Sequence, residues 1–448
     1  MNILFVSLGC DKNLVDTEMM LGMLGREGFA FTDDEEQADI VVVNTCCFIH
    51  DAKEESINTI LEMAELKKTG RAKALLVTGC LAQRYQEEIR TEIPEVDCIL
   101  GTTAIDQIVQ AVKEVLEGKN AGMGHMEDID HTPVYGQKRV VTTGGHYAYL
   151  KIAEGCDKNC TYCIIPKVRG KFRSVPMEVL LKEAEELVSQ GVKELILVAQ
   201  ETTLYGVDLY GEKRLPQLLD ELNRIPGLYW IRLLYCYPEE ITNELIKAIK
   251  RNDKVCHYLD IPIQHGCDSV LKRMGRRTTS GKLRETVANL RQAIPDICLR
   301  TSLITGFPGE TEEDHEILMD FVDDMEFDRL GVFTYSLEED TPAALMEEQI
   351  DEEVKIQRRQ QLMALQQEIA FEKAQTMEGS RLLVMIEGRL EEEDVYIGRS
   401  YRDAPNVDGY VFVHTDKNLM TGDFVWVSIT GSHEYDLIGE VEQNEFTE

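Results

Sequence analysis

Apolar strand-like segments alternate with amphipathic helix-like segments along most of this 448-residue chain, and this alternation limits the possible folds more than any other feature. In the first 120 residues, the strand-like segments ILFVS, IVVVN, ALLVT and CILG are each followed by a helix-like segment. The predicted helices are Asn13–Arg26, Ala52–Lys67, Gln86–Glu92 and Ile105–Leu116. Such alternation is typical of a parallel sheet, because each helix returns the chain to the same edge. We therefore predict a parallel α/β domain over residues 1–120.

A second alternating series follows residues 121–143, a stretch that is rich in Gly, His and Asp and that we interpret as a linker. Its strand-like segments are YAYLKI, ELILVA, IRLLY, YLDIPI, ICLRTSLI and RLGVFTY. Six successive strand-plus-helix units predict a partial (β/α)6 barrel over residues 144–377. Asp351–Met377, which has a helical pattern without Gly or Pro, would end this region.

The pattern changes again over residues 378–448, where short alternating segments are separated by turn residues. The strand-like segments are SRLLVMIEG, YVFVH and DFVWVSIT. They predict a small all-β, OB-like barrel, which we expect to have five strands. The complete fold class is thus α/β with a C-terminal β module.

Twelve cysteines occur in a chain that has the composition of a cytoplasmic protein. No apolar run has the length of a membrane span, and no basic segment precedes the first apolar stretch, so we expect neither membrane contact nor secretion. Disulfides are rare in the cytoplasm. Metal or redox use of the cysteines is therefore the better interpretation.

Cys156, Cys160 and Cys163 have the spacing Cys-x3-Cys-x2-Cys, directly after the strand-like segment YAYLKI. Three thiolates on one short loop can hold three irons of a 4Fe–4S cluster and leave the fourth iron without a protein ligand. An open iron could chelate the amino and carboxylate groups of S-adenosylmethionine (SAM), as open metal sites elsewhere bind substrates. The alternative is a zinc knuckle, but structural zinc needs four ligands and no fourth Cys or His follows at short spacing.

A second triad, Cys10, Cys46 and Cys80, occurs in the contexts SLGC, VNTC and VTGC, each after an apolar strand-like segment. The carboxyl ends of parallel strands share one edge, where ligands gather. This placement predicts a second three-cysteine cluster, although free cysteines are also common as small buried apolar residues. We interpret the other cysteines as packing residues: Cys47, Cys98, Cys236, Cys256, Cys267 and Cys298.

The cysteine spacing at the start of a partial α/β barrel resembles the radical SAM superfamily. The resemblance implies that Tyr162 packs near the adenine of SAM, the alternative being an ordinary loop aromatic. It also favours a ligand-binding role for ITGFPGET, in which Gly306 and Gly309 would let the backbone approach a ligand. The alternative for these glycines is a simple turn.

Three more polar residues end predicted barrel strands, which is where barrel enzymes place active-site groups. Gln200 and Glu201 follow the second strand, and Gln264 follows the fourth. Each residue alone carries little weight, since polar residues commonly end strands. We predict SAM contacts for all three, and we assign no catalytic residue beyond the cluster ligands.

Over its whole length the chain resembles the radical SAM methylthiotransferases. The matching motifs are SLGCxKNxVDTE (Ser7–Glu18), NTC (Asn44–Cys46), VTGCLAQRY (Val77–Tyr85) and GFPGET (Gly306–Thr311). The resemblance implies an N-terminal cluster domain, a radical SAM core and a C-terminal TRAM barrel.

The chemistry that this resemblance implies is insertion of a methylthio group at an unactivated C–H bond, which requires a radical that the cofactor supplies. It implies two 4Fe–4S clusters, SAM and an electron donor. One SAM would be reductively cleaved at the Cys156, Cys160 and Cys163 cluster. Another would methylate a sulfur at the second cluster.

The charge of the chain favours a basic protein substrate over RNA. The chain carries 47 basic and 81 acidic residues, a net charge of −34, and residues 379–448 carry five basic and fifteen acidic residues, a net charge of −10. Such a surface repels phosphate backbones, so we expect no RNA binding, and it attracts basic ribosomal proteins.

The family acts mainly on tRNA adenosines or on an aspartate of small-subunit ribosomal protein S-twelve. The segment GRSYRDAPNVDG (Gly398–Gly409) resembles the ribosomal branch. Its part Tyr401–Asp408 and the charge of −10 lead us to expect that the C-terminal module recognises a basic protein surface. Asp403, Pro405 and Asp408 could also form only a turn. The sequence therefore predicts transfer to the β-carbon of that aspartate. The alternatives are a tRNA adenosine methylthiotransferase and a non-catalytic iron–sulfur electron-transfer protein.

Overall fold

The computed structural model describes residues 1–70, 72–119, 124–132, 136, 138–390 and 395–446, with side chains up to residue 442. Among these residues, no helix combines the length and the apolarity that crossing a bilayer requires.

The N-terminal domain is a five-stranded parallel sheet in the order β2-β1-β3-β4-β5. The strands are β1 (Asn2–Ser7), β2 (Ala30–Thr32), β3 (Ile40–Thr45), β4 (Ala74–Gly79) and β5 (Cys98–Leu100). The helices are α1 (Asp11–Arg26), α2 (His50–Thr69), α3 (Cys80–Arg84), α4 (Gln86–Glu92) and α5 (Ile108–Leu116). Short 3-10 turns lie at Glu35–Gln37 and Ile105–Gln107. The predicted parallel domain is thus confirmed.

Both faces of this sheet are covered, which explains why its central strands are continuous apolar runs. On β3, Val41 and Val43 belong to one apolar cluster, and Ile40 and Val42 belong to another on the opposite face. All four side chains are fully buried. The sequence pattern did not predict β2, because this edge strand has only three residues and is largely exposed.

The second region is a six-stranded parallel sheet in the order β13-β12-β11-β10-β9-β6. Its strands are β6 (Tyr147–Lys151), β9 (Glu194–Val198), β10 (Trp230–Leu233), β11 (Val255–Asp260), β12 (Cys298–Thr305) and β13 (Arg329–Thr334). A small antiparallel ribbon of β7 (Ala153–Glu154) and β8 (Arg173–Ser174) follows β6. The six predicted strands and the partial barrel are confirmed.

The helices of this region separate its strands along the chain. They are α6 (Ile165–Arg169), α7 (Met177–Ser189), α8 (Val207–Tyr210), α9 (Leu215–Leu222), α10 (Asn243–Arg251), α11 (Asp268–Arg273), α12 (Ser280–Ala293), α13 (Glu312–Met325) and α14 (Glu352–Thr376). Short 3-10 turns lie at Pro238–Glu240 and Pro342–Leu345. On β9, Leu195 and Leu197 pack with the core that includes the helices, while Ile196 and Val198 pack with aromatic residues of the other face.

The C-terminal region is a closed five-stranded barrel in the order β14-β15-β16-β18-β17. The strands are β14 (Arg381–Leu390), β15 (Val395–Ser400), β16 (Val411–His414), β17 (Phe424–His433) and β18 (Asp436–Phe446). The predicted five-stranded barrel is confirmed. The sequence pattern did not predict β15 and β18 individually, because their segments are too polar to show a clear alternation of apolar residues.

The C-terminal barrel docks on the partial barrel through the segment Gly398–Gly409. Arg399 Nη2 lies 2.8 Å from Glu194 Oε2 at the start of β9, and Arg329 Nη2, at the start of β13, lies 2.6 Å from Asp403 Oδ1. Tyr258 Oη on β11 donates a hydrogen bond of 2.7 Å to Asp408 Oδ2. Asp403 and Asp408 of the segment Tyr401–Asp408 thus contribute to the domain interface, and recognition of a basic protein surface by this module remains a prediction. Of this segment, Asn406 and Val407 remain exposed.

Of the predicted linker 121–143, residues 121–123, 133–135 and 137 lie outside the described residues. The part from Lys138 onward packs between α1 and β6. The Val140 N–H donates to Glu18 O at 3.1 Å, and a Cβ on Gly22 would overlap Lys138 O. Gly22 therefore lets the chain cross α1 closely. The predicted domain boundaries themselves remain predictions.

Candidate functional site

The first triad lies on the loop between β7 and α6. The Cys156 N–H donates to Gly170 O at 3.1 Å, and the Cys163 N–H donates to Cys160 O at 3.0 Å. Gly155 has a φ of +80°, and a Cβ there would overlap Lys171 O. The start of the loop thus packs against Gly170 and Lys171, which lead into β8. Position 155 requires glycine because of its positive φ and this close contact.

The thiols of this triad are close enough to affect each other electrostatically. Burial raises the pKa of Cys156 to about 11, and the neighbouring Cys160 adds to this rise. Burial and Cys160 also raise the pKa of Cys163. In the metal-free chain Cys156 and Cys163 are therefore neutral thiols at pH 7, and binding of iron has to displace their protons.

The second triad gathers at the carboxyl ends of β1, β3 and β4. Cys10 immediately precedes α1, Cys46 follows β3, and Cys80 is the first residue of α3. A Cβ on Gly9 would lie 3.0 Å from Cys46 Sγ, so the chain before Cys10 passes directly over Cys46. The structure therefore brings these three cysteines together across 70 residues of sequence.

The electrostatics of the second triad are like those of the first. Burial raises the pKa of Cys46 to about 12, and Cys80 and Cys10 contribute to this rise. Burial also raises the pKa of Cys80, although the nearby Arg169 opposes this rise. Cys46 and Cys80 are therefore thiols that a bound cation would have to convert to thiolates.

Arg169 connects the two triads, and sequence reasoning missed it. This fully buried residue ends α6, six positions after Cys163. Its Nε donates to Cys80 Sγ at 3.3 Å, and its Nη1 donates to Asp16 Oδ2 at 2.7 Å. Its Nη2 donates to the side chain of Asn13. A single Arg within PKVRGK gives no sign of this role in the sequence.

A bridging loop, Ser336–Asp340, also holds the two domains together. Ser336 Oγ accepts a hydrogen bond of 3.1 Å from the His50 N–H. The buried Glu338 carboxylate lies 3.0 Å from both Lys53 Nζ and Arg84 Nη1. Since His50, Lys53 and Arg84 follow the second and third cysteines of the N-terminal triad, this loop fixes that triad relative to β13.

Among the described residues, no three His, Cys, Asp or Glu side chains are placed to hold one metal ion together. A 4Fe–4S cluster does not require three side chains to meet at one ion, because each of the three cysteines binds a different iron. Each triad offers thiols of the correct kind for such a cluster. The ligand roles remain predictions.

Two predicted SAM-contact residues lie against the first triad. Gln200 Oε1 accepts a hydrogen bond of 2.9 Å from the Gly155 N–H, so its side chain supports the cysteine loop. The buried Glu201 is bonded through Oε1 to Thr203, whereas its Oε2 has no hydrogen-bond partner among the described residues and lies 3.8 Å from Lys158 Nζ. Burial raises the pKa of Glu201 to about 7. A buried carboxylate oxygen without a partner suits a cationic ligand such as SAM.

Side chains of the protein itself pack against three other residues for which we predict SAM contacts, namely Tyr162, Gly306 and Gly309. Tyr162 packs edge-on against Phe307, with ring centroids 6.5 Å apart. A Cβ on Gly306 would overlap Lys355 Cγ of α14, and one on Gly309 would lie 2.6 Å from Glu348 Oε2. In the direction where a Cβ would point, each glycine therefore leaves room for a side chain of the protein itself.

Gln264 extends the barrel ladder beyond β11. Its N–H donates to Ser302 O at 2.9 Å and its carbonyl accepts from the Ile304 N–H at 2.8 Å, with a φ of +70°. Its backbone is thus fixed beside β12. A SAM-binding role for Tyr162, Gly306, Gly309 and Gln264 remains a prediction.

Three family models match consecutive parts of the chain. Residues 2–101 match the family described as "Uncharacterized protein family UPF0004", residues 150–322 match the radical SAM superfamily, and residues 379–441 match the TRAM domain. These segments contain the N-terminal triad, the barrel triad and most of the C-terminal barrel, respectively.

Full-length relatives identify the family. The chain is 63% identical over 442 residues to the ribosomal protein uS12 methylthiotransferase RimO of Lachnoclostridium phytofermentans, with 99% of this chain and 100% of the relative covered. It is 51% identical to the protein of the same name in Clostridioides difficile, with 98% of this chain and 99% of the relative covered. The chain belongs to the RimO family of methylthiotransferases.

The fold also resembles that of a solved radical SAM enzyme. The methyltransferase TsrM from Kitasatospora setae, with cobalamin and a [4Fe–4S] cluster bound, superposes with a TM-score of 0.55 at 14% identity, and the match covers 77% of each chain. This likeness concerns the fold alone. The RimO family assignment rests on the full-length relatives, whose matches include both triads and the docking segment Gly398–Gly409.

Proposed function

We propose that this chain is a radical SAM methylthiotransferase that modifies the β-carbon of an aspartate in ribosomal protein uS12. The observation that carries the proposal is the presence of two cysteine triads, one of which is bonded through Cys80 to Arg169 of the helix that follows the other, in a chain whose full-length relatives carry that activity in their names. The reaction needs a site that generates a radical and a site that supplies a sulfur group, and the two triads could serve these two purposes.

The residues that would hold the cofactors are the two triads, with SAM beside Cys156, Cys160 and Cys163. When bound, the two 4Fe–4S clusters and SAM supply the electron, the radical and the sulfur and methyl groups of the reaction. Glu201 would bind the cationic part of SAM through its unpartnered oxygen. Gln200 would hold the loop in position through Gly155.

Lys12 suits the carboxylate of an aspartate substrate. It is the second residue after Cys10, and its Nζ lies 3.2 Å from the centroid of the Tyr235 ring and 2.9 Å from Asp11 Oδ1. Although burial opposes the charge, the attraction of Asp11 and Tyr235 raises the pKa of Lys12. The group is therefore a cation at pH 7 between the second triad and β10. We propose that it orients the substrate carboxylate.

The acidic C-terminal barrel would attract the basic substrate from solution. Two of its five cations, Arg399 and Arg402, are committed to Glu194 and Asp328 of the partial barrel. These two cations therefore do not neutralise the acidic residues on the rest of the barrel surface, which keeps its negative charge. Such complementarity increases association rates with a basic protein. We propose a cytoplasmic location, a separate electron donor and no RNA binding by this module.

The deciding experiment is mass spectrometry of uS12 from cells that lack this chain, with wild type or variants restored. Wild type should restore the methylthio mass to uS12 and add none to tRNA in a parallel assay. A tRNA product without a uS12 product would overturn the substrate assignment. If the reduced chain forms no 5′-deoxyadenosine, it is not a radical SAM enzyme, and an electron-transfer role would remain.

Two cysteine variants test the division of labour between the triads. Cys156→Ala should abolish 5′-deoxyadenosine formation, whereas Cys46→Ala should retain it and lose methylthio transfer. After anaerobic reconstitution the wild type should hold about eight irons, and each triple Cys→Ala variant about four. A wild-type content of about four irons would contradict the two-cluster proposal.

A further inference from the structure

The segment Lys272–Arg277 is a local exception in an acidic chain. It contains four cations and no acid within six residues, whereas the whole chain has a net charge of −34. The segment spans the end of α11 and the turn that follows it. A positive patch on such a protein attracts partners that the rest of the surface repels.

This segment is bonded directly to the loop of the first triad. Thr161, between Cys160 and Cys163, donates from its N–H to Met274 O at 2.9 Å and from its Oγ1 to Arg273 O at 2.8 Å. The patch therefore has a fixed position relative to the cysteines.

A cleft leads from the patch to a predicted cluster ligand. Its lining includes the cations Lys158, Arg276 and Arg277, the acid Glu239, and Cys160 and Tyr237. Within this cleft, Tyr237 Oη lies 3.6 Å from Cys160 Sγ. The cleft thus brings the surface close to the group that would bind iron.

The cations of the segment divide into two kinds. Arg276 is buried, lies 2.9 Å from Glu239 Oε2 and packs over the Tyr237 ring at 4.4 Å, so it builds the wall of the cleft. Arg273 lies 3.3 Å from Asp314 Oδ2. Lys272 and Arg277 are exposed and form no ion pair within the described part of the chain. These two charges are available to a partner.

We propose that Lys272 and Arg277 dock an acidic protein that carries a low-potential one-electron centre, and that this protein reduces the cluster through the cleft at Cys160. The inference rests on the proposed function, since a cluster that gives an electron to SAM must be reduced again before the next cleavage. In the transfer the carrier loses one electron and the cluster gains it, with no atom moved. Electron-transfer encounters use small, weak interfaces, for which two well-placed charges are significant. An RNA phosphate would also suit the patch, but the cleft to Cys160 favours a redox partner.

The test compares Lys272→Glu/Arg277→Glu with a control of equal charge change, Lys247→Glu/Lys250→Glu, at exposed positions of α10. Binding of a fluorescently labelled acidic flavodoxin to the reconstituted chain is measured by anisotropy over a range of salt. We expect the first variant to bind about tenfold more weakly at low salt, with the difference vanishing at high salt, and the control to change less than about twofold.

The same variants are assayed for 5′-deoxyadenosine with either reduced flavodoxin or reduced methyl viologen. Only the flavodoxin-driven rate should fall in the first variant. Unchanged flavodoxin affinity, an equal loss in the control, or an equal loss with viologen would overturn the proposal. So would a raised KM for ribosomal subunits, with unchanged flavodoxin binding, which would assign the patch to RNA. If the wild type forms no product even with viologen, the proposed function itself fails.

Discussion

Arg169 Nε donates a hydrogen bond to Cys80 Sγ across 3.3 Å, so the helix that follows one cysteine triad supports the other. The same guanidinium contacts Asp16 and Asn13, both in the first half of α1. Since the arginine is fully buried, its position cannot change without disturbing both domains. The two triads are thus parts of one structure rather than independent local features of separate domains.

Arg169 should influence the redox potential of the cluster that we propose at Cys10, Cys46 and Cys80. Hydrogen bonds to the sulfurs and nearby positive charge stabilise the reduced, more negative cluster. Arg169→Gln should therefore lower the reduction potential, and Arg169→Lys should lower it less because the charge is kept. Electron paramagnetic resonance during a redox titration measures this in a chain whose barrel cysteines are replaced by Ala. An unchanged potential in Arg169→Gln would contradict the prediction.

Arg399 should be essential to the stability of the domain interface. Its guanidinium pairs with Glu194, and both side chains are fully buried. Arg399→Ala removes one of two guanidinium partners of the buried Glu194 carboxylate, because Arg232 Nε also lies 2.7 Å from Glu194 Oε1. We therefore expect a loss of about 1.5–3 kcal/mol, the contribution of a hydrogen bond to a charged group, rather than the about 3–5 kcal/mol that an unpaired buried charge costs. The control, Arg224→Ala, removes an exposed pair with Glu221, for which about 0–1 kcal/mol is expected. Urea unfolding measures both, and equal losses would show that the interface pair is not special.

Glu201 should make the metal-free chain less stable as pH rises. Burial raises its folded-state pKa from 4.5 to about 7, so the folded chain binds more protons than the unfolded chain between these values. The free energy of unfolding should thus fall from pH 4.5 to pH 7 by up to about 3 kcal/mol from this group and then level off. Glu201→Gln should lack this part of the fall.

The matched control for Glu201 is Glu185→Gln, on the exposed side of α7. It removes one carboxylate without removing a buried one, so the wild-type pH profile should persist. Identical profiles for Glu201→Gln and the wild type would show that Glu201 is not the group responsible.

Lys12 should be needed for transfer but not for SAM cleavage. Lys12→Met keeps the length of the side chain over Tyr235 and removes the charge that would orient the substrate carboxylate. We expect at least about a tenfold loss of methylthio transfer, since a charged hydrogen bond contributes about 1.5–3 kcal/mol, with 5′-deoxyadenosine formation retained. Lys12→Arg should recover part of the transfer. Mass spectrometry of uS12 and chromatography of the nucleoside measure the two products, and their parallel loss would indicate only a structural role.

Much of the fold follows from local patterns in the sequence. The buried strands β3, β4 and β9 are apolar runs, and α1 and α2 extend the predicted helices by at most two residues at an end. Strands such as β2 and β15 escaped prediction because they are short or polar, and their pairing depends on distant neighbours. The gathering of Cys10, Cys46 and Cys80 was predictable because parallel strands end at one edge.

Long-range contacts were not predictable in the same way. Arg169 meets Cys80 from 89 positions away, and Arg399 meets Glu194 from 205 positions away. Nothing in the local spacing of either arginine indicates its partner. The docking role of Gly398–Gly409 was missed for the same reason, since a polar segment in a loop has the same pattern whether it faces solvent or another domain.

The position of Arg169 has a consequence for the order in which the chain matures during synthesis. Cys10, Cys46 and Cys80 leave the ribosome well before Cys156–Cys163, and the strands that bring them together are complete at Leu100. The residue that donates to Cys80, however, emerges only six positions after Cys163. The earlier site therefore gains Arg169 soon after the later cysteines have been made, but its contacts with the bridging loop Ser336–Asp340, through Lys53 and Arg84, can form only after the last barrel strand has emerged.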